Sequence, residues 1–182
     1  MTCIVGLWDQ GHIYVGGDSS GSDCQCLMPR NDTKVFRRKE FVIGYTSSFR
    51  MGQLLRYRLD PAEKYTHQDV HEWMCTTVVD AIRQTFKTGG FAEIENEQES
   101  GGEFIIATHG RLFVVHSDYQ VAEPAGGYWA VGSGGLVALG ALHVLHDRAM
   151  PAQQKVLEAL AAAQTHNPFV REPFEVEVWS PA

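Results

Sequence analysis

An α+β fold is the architecture predicted by the order of the sequence patterns. Short apolar and β-branched segments fill residues 2–48, two helical segments follow, strands return near residue 104, and two further helices precede a last strand. Separate blocks of strands and helices favour α+β layering over an alternating parallel sheet. Two antiparallel sheets packed face to face, each covered by a helix pair, would bury every amphipathic face. We therefore expect a four-layer αββα sandwich.

Each element is indicated by its own period and end signals. Turn residues separate four short segments that predict two N-terminal hairpins: Thr2 to Trp8, His12 to Gly17, Lys34 to Phe36 and Phe41 to Tyr45. Helical spacing predicts helices from Ser48 to Leu59, from Asp69 to Gly89, from Gly135 to His146 and from Pro151 to about Gln164. Later strands are predicted at 104–108, 112–116, 128–131 and 174–178, with an exposed acidic connection at 93–102.

Bulk composition excludes several classes of partner. The chain has 182 residues, 44% of them apolar and 20% charged, which suits one globular domain spanning residues 1–182. Its formal charge is −7, and no basic run extends beyond Arg37-Arg38-Lys39, so a nucleic-acid backbone finds no extended cationic surface. No segment approaches the roughly 20 apolar residues that span a bilayer, and Asp9 interrupts the first apolar run. We expect a cytoplasmic protein with no nucleic-acid or membrane partner.

The cysteines and histidines do not form a known metal-binding motif. The four cysteines are Cys3, Cys24, Cys26 and Cys75, and in a reducing cytoplasm we expect free thiols. Cys24 and Cys26 are one residue apart, and no second pair follows at zinc-finger spacing. His71-Glu72 resembles the start of a zincin motif, but Cys75 stands where the second histidine ligand belongs. We therefore expect no metal site.

Thr2 is the first candidate for a catalytic role. Removal of Met1 would place a free α-amine and a hydroxyl on the same residue. An α-amine has a reference pKa of about 7.7–8.0, so it can accept a proton close to neutral pH. A threonine with its own amine therefore combines nucleophile and base. Threonine is also common after an initiator methionine without any function, so Thr2 alone does not decide between these interpretations.

Two charged residues follow Thr2 at informative offsets. Asp18 ends the second predicted strand after Gly16-Gly17, and Lys34 opens the third, 16 and 32 residues beyond Thr2. Because each charged residue type occupies a fixed position about once in sixteen, an Asp and a Lys would both occupy two given positions by chance about once in 250. With these residues, and with the apolar strand and glycine-rich turn from Tyr128 to Gly135, the chain resembles the proteasome β-type subunits and HslV peptidases. These proteins are N-terminal-nucleophile hydrolases.

The resemblance implies a role for each of these positions. Thr2 is the nucleophile, Lys34 and Asp18 form the charged pair beside it, and Ser133 completes the surroundings of the α-amine. From residue types alone, Ser133 could equally be a helix N-cap. Similar enzymes take an oxyanion-hole N–H from a glycine after the fourth strand, where this chain has Ser47.

One residue of the family pattern is missing. The resemblance implies an acidic residue near the end of the last long helix, but residues 161–167 read AAAQTHN and contain no carboxylate. Thr165, His166 or Asn167 could supply a hydrogen bond instead, and Ser19, beside Asp18, is a further candidate supporting residue. The α-amine would then be tuned differently, and activity against ordinary peptides could be low.

The resemblance also implies an activity and an assembly. It predicts a threonine-type endopeptidase that cleaves unfolded polypeptides without a cofactor. It further predicts a homo-oligomer of stacked hexameric or heptameric rings with the active sites inside and an ATP-dependent unfoldase as partner. Two alternatives stay open: a hydrolase of small amides with the same nucleophile, and a weakly active or inactive ring-forming subunit. The intact Thr2, Asp18 and Lys34 argue against inactivity, whereas the missing carboxylate argues for it.

Overall fold

The structure of the protein is a computed structural model that describes residues 2–22, 26–95 and 98–181. Met1, whose removal the proposed nucleophile requires, and Cys24 lie outside these ranges. In chain order the strands are β1 (Ile4–Asp9), β2 (His12–Gly17), β3 (Ser20–Ser22), β4 (Leu27–Pro29), β5 (Val35–Arg38), β6 (Phe41–Tyr45), β7 (Glu93–Glu95), β8 (Gln98–Ser100), β9 (Phe104–Thr108), β10 (Arg111–Val115), β11 (Val121–Ala122), β12 (Tyr128–Val131) and β13 (Glu175–Trp179). The helices are α1 (Phe49–Arg58), α2 (Val70–Trp73), α3 (Val79–Thr88), α4 (Gly135–Leu145) and α5 (Ala152–His166), and a π-helical segment (Met74–Val78) joins α2 to α3.

Two antiparallel sheets form the centre of the fold. The first sheet has the strand order β12-β1-β2-β13, and the second has the order β11-β10-β9-β6-β5. The β1–β2 and β5–β6 hairpins are the two predicted for the N-terminal part of the chain, and β9–β10 is the predicted later hairpin. Gln10-Gly11 and His109-Gly110 each close a hairpin with positive φ at both residues, which is the conformation of a type I′ turn.

Three groups of buried apolar side chains pack the sheets and helices together. One group, which includes Ile4 and Val42, draws on strands of both sheets. A second joins α1, the π-helical segment and α3 to the second sheet, for example through Phe86. The third joins α4 and α5 to the first sheet, for example through Val5 and Leu160. The α+β class expected from the sequence is confirmed.

The helix ends follow the capping signals in the sequence. The Ser48 hydroxyl accepts a hydrogen bond from the Arg50 N–H at 3.1 Å, at the start of α1. The Asp69 carboxylate accepts from the N–H groups of His71 and Glu72 at the start of α2. Both caps satisfy donors that a helix N-terminus leaves open. Within the described ranges, no helix combines the length and apolar character needed to cross a membrane.

Local structure departs from the sequence expectations in several places, which include β11, the π-helical segment and two short hairpins. A hairpin of β3 and β4 follows Asp18, where the sequence predicts no strand. The segment 93–102, expected to be an exposed connection, contains the paired strands β7 and β8 on either side of residues 96–97. Each of these strands has three residues, which is too short for the alternating pattern that identifies a strand in sequence.

Candidate active site

The centre of the candidate site is a buried ion pair between Lys34 and Asp18. Asp18 follows β2 in the first sheet, and Lys34 precedes β5 in the second, so the pair joins strand ends from both sheets. The Lys34 Nζ lies 3.0 Å from Asp18 Oδ1 and 2.9 Å from Oδ2. The two residues are only 2% and 1% exposed. At this burial each charge depends on the other, because an unpaired ion in a protein interior is strongly destabilising.

Asp18 also holds the backbone next to the candidate nucleophile. Its Oδ1 accepts a hydrogen bond from the Cys3 N–H at 3.0 Å, and the Asp18 N–H donates to the Cys3 carbonyl at 3.3 Å. Burial lowers the pKa of the Lys34 amine below its ordinary value, and the Asp18 carboxylate opposes that shift. Burial raises the pKa of the Cys3 thiol to about 12, so Cys3 is un-ionised near neutral pH and cannot act as a thiolate nucleophile.

The glycine-rich turn after β12 is hydrogen-bonded to the backbone of Thr2. The Thr2 N–H donates to Ser133 Oγ at 3.2 Å, and the Gly134 N–H donates to the Thr2 carbonyl at 3.2 Å. Gly132 has a φ of 91°, and a Cβ at this position would lie 2.4 Å from the Thr2 carbonyl oxygen. Only glycine satisfies both the left-handed backbone and this close approach.

The structure distinguishes between the two interpretations of Ser133. The N-cap residue of α4 is Gly134, and no side chain makes a capping hydrogen bond there. Ser133 instead places its hydroxyl at the Thr2 nitrogen. In a chain from which Met1 has been removed, that nitrogen would be the α-amine, so Ser133 occupies the position expected of a residue that orients it.

Ser47, the candidate oxyanion-hole residue, lies in the turn after β6. It adopts a φ of 61°, in the left-handed region that glycine occupies most easily. The Glu103 N–H donates to the Ser47 hydroxyl at 3.2 Å, and the Thr46 hydroxyl lies 3.1 Å from it. Thr46 in turn borders the glycine-rich turn, because its Cγ2 would lie 3.1 Å from a Cβ on Gly132. Ser47 therefore adopts a backbone conformation that glycine adopts most easily, in a turn at the edge of the candidate site.

The three candidate supporting residues differ in their placement. Thr165 is exposed and donates its hydroxyl to the Ala161 carbonyl of its own helix, so the structure does not bring it to the site. Asn167 ends α5, and its Oδ1 accepts from the Phe169 N–H at 2.9 Å. Ser19 is 4% exposed, and its hydroxyl has no hydrogen-bond partner among the described residues.

Ser20 is the neighbour of Asp18 that sequence reasoning missed. Its hydroxyl lies 2.8 Å from Asp18 Oδ2, and its N–H donates to the same oxygen at 3.2 Å. Aspartate side chains commonly accept from the N–H two residues on, as in an Asx turn, so Asp18 itself was the only sequence signal for this contact. Within the described ranges, no three His, Cys, Asp or Glu side chains come together in a group that could hold a metal ion.

Comparisons with known proteins bear on the fold. No family model and no curated protein sequence matches the chain. Among solved structures, BPH of Thiobacillus denitrificans in complex with epoxomicin is similar with a TM-score of 0.81 and 20% identity, over 98% of this chain and 100% of that one. Eukaryotic HslV from Trypanosoma brucei has a TM-score of 0.71 and 19% identity, over 97% and 98% of the two chains. Anbu, an ancestral beta-subunit from Yersinia bercovieri, has a TM-score of 0.68 and 15% identity, over 99% and 82%. These identities establish likeness of fold alone, and we conclude that the chain has the proteasome-type fold of the N-terminal-nucleophile hydrolases.

Proposed function

We propose that this protein is a threonine-type endopeptidase in which Thr2, freed by removal of Met1, attacks the carbonyl carbon of a peptide bond. The observation that carries the proposal is the buried Lys34–Asp18 pair, which is bonded to the backbone at Cys3 while Ser133 contacts the Thr2 nitrogen. A buried ion pair is an expensive feature, and one located beside an N-terminal threonine supplies the charge that such a nucleophile needs.

Each step of the proposed reaction has a residue to perform it. The α-amine of Thr2 takes the hydroxyl proton as the oxygen attacks, and gives it to the departing amine of the substrate. Lys34 stabilises the oxygen while it carries negative charge, and Asp18 keeps Lys34 charged. The Ser47 N–H donates to the oxyanion. Water then hydrolyses the acyl ester on Thr2 and regenerates the hydroxyl, so peptide cleavage needs no cofactor.

Intact mass spectrometry of the purified protein, with and without epoxomicin, tests the proposal. Epoxomicin is the ligand of the similar BPH structure. We expect loss of the Met1 mass and one adduct per chain. Thr2→Ala removes the hydroxyl and should abolish the adduct, whereas Thr2→Ser keeps a hydroxyl and should retain it. A chain that keeps Met1 and gains no adduct would refute the catalytic role, because the amine and the hydroxyl would not share a residue.

For the assembly we propose a homo-oligomer of stacked hexameric or heptameric rings, in which each subunit is a four-layer αββα sandwich. Helix α4 supports this, because it is largely apolar and two of its apolar side chains, Leu136 and Val144, are 87% and 58% exposed. Such a surface favours contact with a second copy of the chain. Native mass spectrometry should show a ring for the wild type and smaller species for Leu136→Glu. Tyr57→Glu, at another exposed helical position, is the matched control and should leave the ring intact.

The substrates and partners follow from the same proposal. We propose that unfolded polypeptides are cleaved in the cytoplasm, with an ATP-dependent unfoldase as a further partner. Cleavage of an unfolded protein such as reduced casein would support the endopeptidase. Turnover confined to small amides would favour an amide hydrolase with the same nucleophile.

A weakly active ring-forming subunit is the second candidate function, and one observation favours it. The end of α5 offers no carboxylate, and the side chains of Thr165 and Asn167 make their bonds within 161–169. Slow epoxomicin labelling, together with an intact ring, would support this second candidate.

A further inference from the structure

The turn that follows α5 is tied to the strand end that carries Asp18. We call residues 167–171 the α5 turn. Its Phe169 carbonyl lies 2.6 Å from the Ser20 hydroxyl, and its Arg171 carbonyl accepts from the Ser19 N–H at 3.2 Å. Two contacts thus connect the α5 turn to the residues directly after Asp18.

The α5 turn is itself held in shape by its own side chains. Asn167 Oδ1 accepts from the Phe169 N–H at 2.9 Å. The Arg171 guanidinium donates through Nη1 to the Val170 carbonyl at 3.0 Å, and to the carbonyls of Gln164 and Asn167 at 3.4 Å. These bonds close the C-terminal end of α5, where helix carbonyls lack partners. The Phe169 carbonyl is therefore presented to Ser20 from a fixed turn.

Ser20 stands between the α5 turn and the ion pair. It is 4% exposed, and its hydroxyl contacts both the Phe169 carbonyl and Asp18 Oδ2. A hydroxyl has one proton, so these two acceptors share it. The Ser20 N–H donates to the same Asp18 oxygen, which means that Ser20 holds Oδ2 while the Cys3 N–H holds Oδ1.

We propose that Ser20 is a positioning residue, which anchors the Asp18 carboxylate to the α5 turn and so keeps both carboxylate oxygens on the Lys34 amine. The terminal torsion of an aspartate is broad, so the carboxylate does not hold this orientation unaided. The inference rests on the proposed function for its effect on catalysis. It also gives the end of α5 a part in the site without a carboxylate, because the connection runs through Ser20 to Asp18.

The consequence is an effect of Ser20 on Lys34. Asp18 raises the pKa of the Lys34 amine against the effect of burial. A carboxylate that turns away opposes burial less, so the Lys34 pKa falls. If charged Lys34 supports the nucleophile, the alkaline limb of the reaction then moves to lower pH. A purely structural role for Ser20 would lower activity by the same factor at every pH.

Ser20→Ala tests the proposal with two readouts. The first is the rate of epoxomicin labelling across pH, and the second is the titration of Lys34, followed by NMR in protein labelled with ¹³C at the lysine ε-carbon. We expect the alkaline limb and the Lys34 titration both to move to lower pH by about one unit, with labelling roughly tenfold slower on the alkaline side. Ser20→Thr, which keeps the hydroxyl, should restore much of both.

Ser180→Ala is the matched control, because it removes a serine hydroxyl bonded to His12 at the opposite end of β2. It should leave both readouts unchanged. Asn167→Ala, which loosens the α5 turn and leaves Ser20 in place, should shift both in the same direction by less, and it decides the question if Ser20→Ala does not fold.

Slower labelling by one factor at all pH values, with an unchanged Lys34 titration, would overturn the positioning role. If the wild type gains no adduct, the proposed function fails, but the Lys34 titration still decides the role of Ser20.

Discussion

Replacing Asp18 by asparagine should lower the free energy of unfolding far more than a typical substitution does. The change keeps the shape of the side chain but removes the charge that lies 2.9–3.0 Å from the Lys34 Nζ. Both residues are at most 2% exposed, so Lys34 would be left as an unpaired buried ion. Breaking a buried pair in this way costs about 3–5 kcal/mol. For a chain of this size, that corresponds to a fall in melting temperature of about 6–20 °C.

The loss of stability should depend on pH, with a sign set by Lys34. Its pKa in the folded protein is lowered by burial, so the folded state binds fewer protons than the unfolded state between that lowered pKa and 10.5. Stability therefore rises with pH through this window. Without Asp18 the Lys34 pKa falls further, and Asp18→Asn begins to shed the Lys34 proton at a lower pH. The difference from wild type should be larger near pH 6 than near pH 9.

Urea unfolding at the two pH values measures this difference, with Asp18→Asn/Lys34→Met as the second variant. The double variant has no buried charge at positions 18 and 34, and it should recover most of the stability that the single variant loses. A loss below about 1 kcal/mol for Asp18→Asn, which is the range of exposed ion pairs, would refute the reasoning. So would a double variant no more stable than the single one.

Three further substitutions test the surroundings of Thr2. Gly132→Ala should lower stability by about 2 kcal/mol or more in calorimetry and abolish epoxomicin labelling, because its Cβ would lie 2.4 Å from the Thr2 carbonyl at a φ of 91°; wild-type behaviour would contradict the close approach. Ser133→Ala should slow labelling at least about tenfold with an unchanged melting temperature, since Ser133 contacts the Thr2 nitrogen and does not cap α4. Ser19→Ala should raise the free energy of unfolding by about 1 kcal/mol in urea, because the buried Ser19 hydroxyl has no partner among the described residues. A destabilised Ser19→Ala variant would show that this hydroxyl makes a bond after all.

The α+β class and most of the central elements could be predicted from the sequence because local patterns encode them. The β1–β2 and β9–β10 hairpins carry turn residues that tolerate positive φ, and α1 begins at a serine that caps it. The β3–β4 hairpin was missed because its three-residue strands carry no periodic signal. Its formation depends on pairing between strands, which local sequence does not record.

The candidate site divides in the same way. The family resemblance singled out Thr2, Asp18, Lys34 and Ser133 in the sequence, but residue types alone left Ser133 open as a helix cap or a partner of Thr2. Only the tertiary structure decided that question, because the Ser133–Thr2 contact joins residues 131 apart in the chain. It also placed the Ser20 hydroxyl between Asp18 and the Phe169 carbonyl, which lies 149 residues away from Ser20 in the chain. Local sequence determines which segments can form strands, helices and turns, whereas hydrogen bonds between distant segments exist only once the sheets and helices have packed.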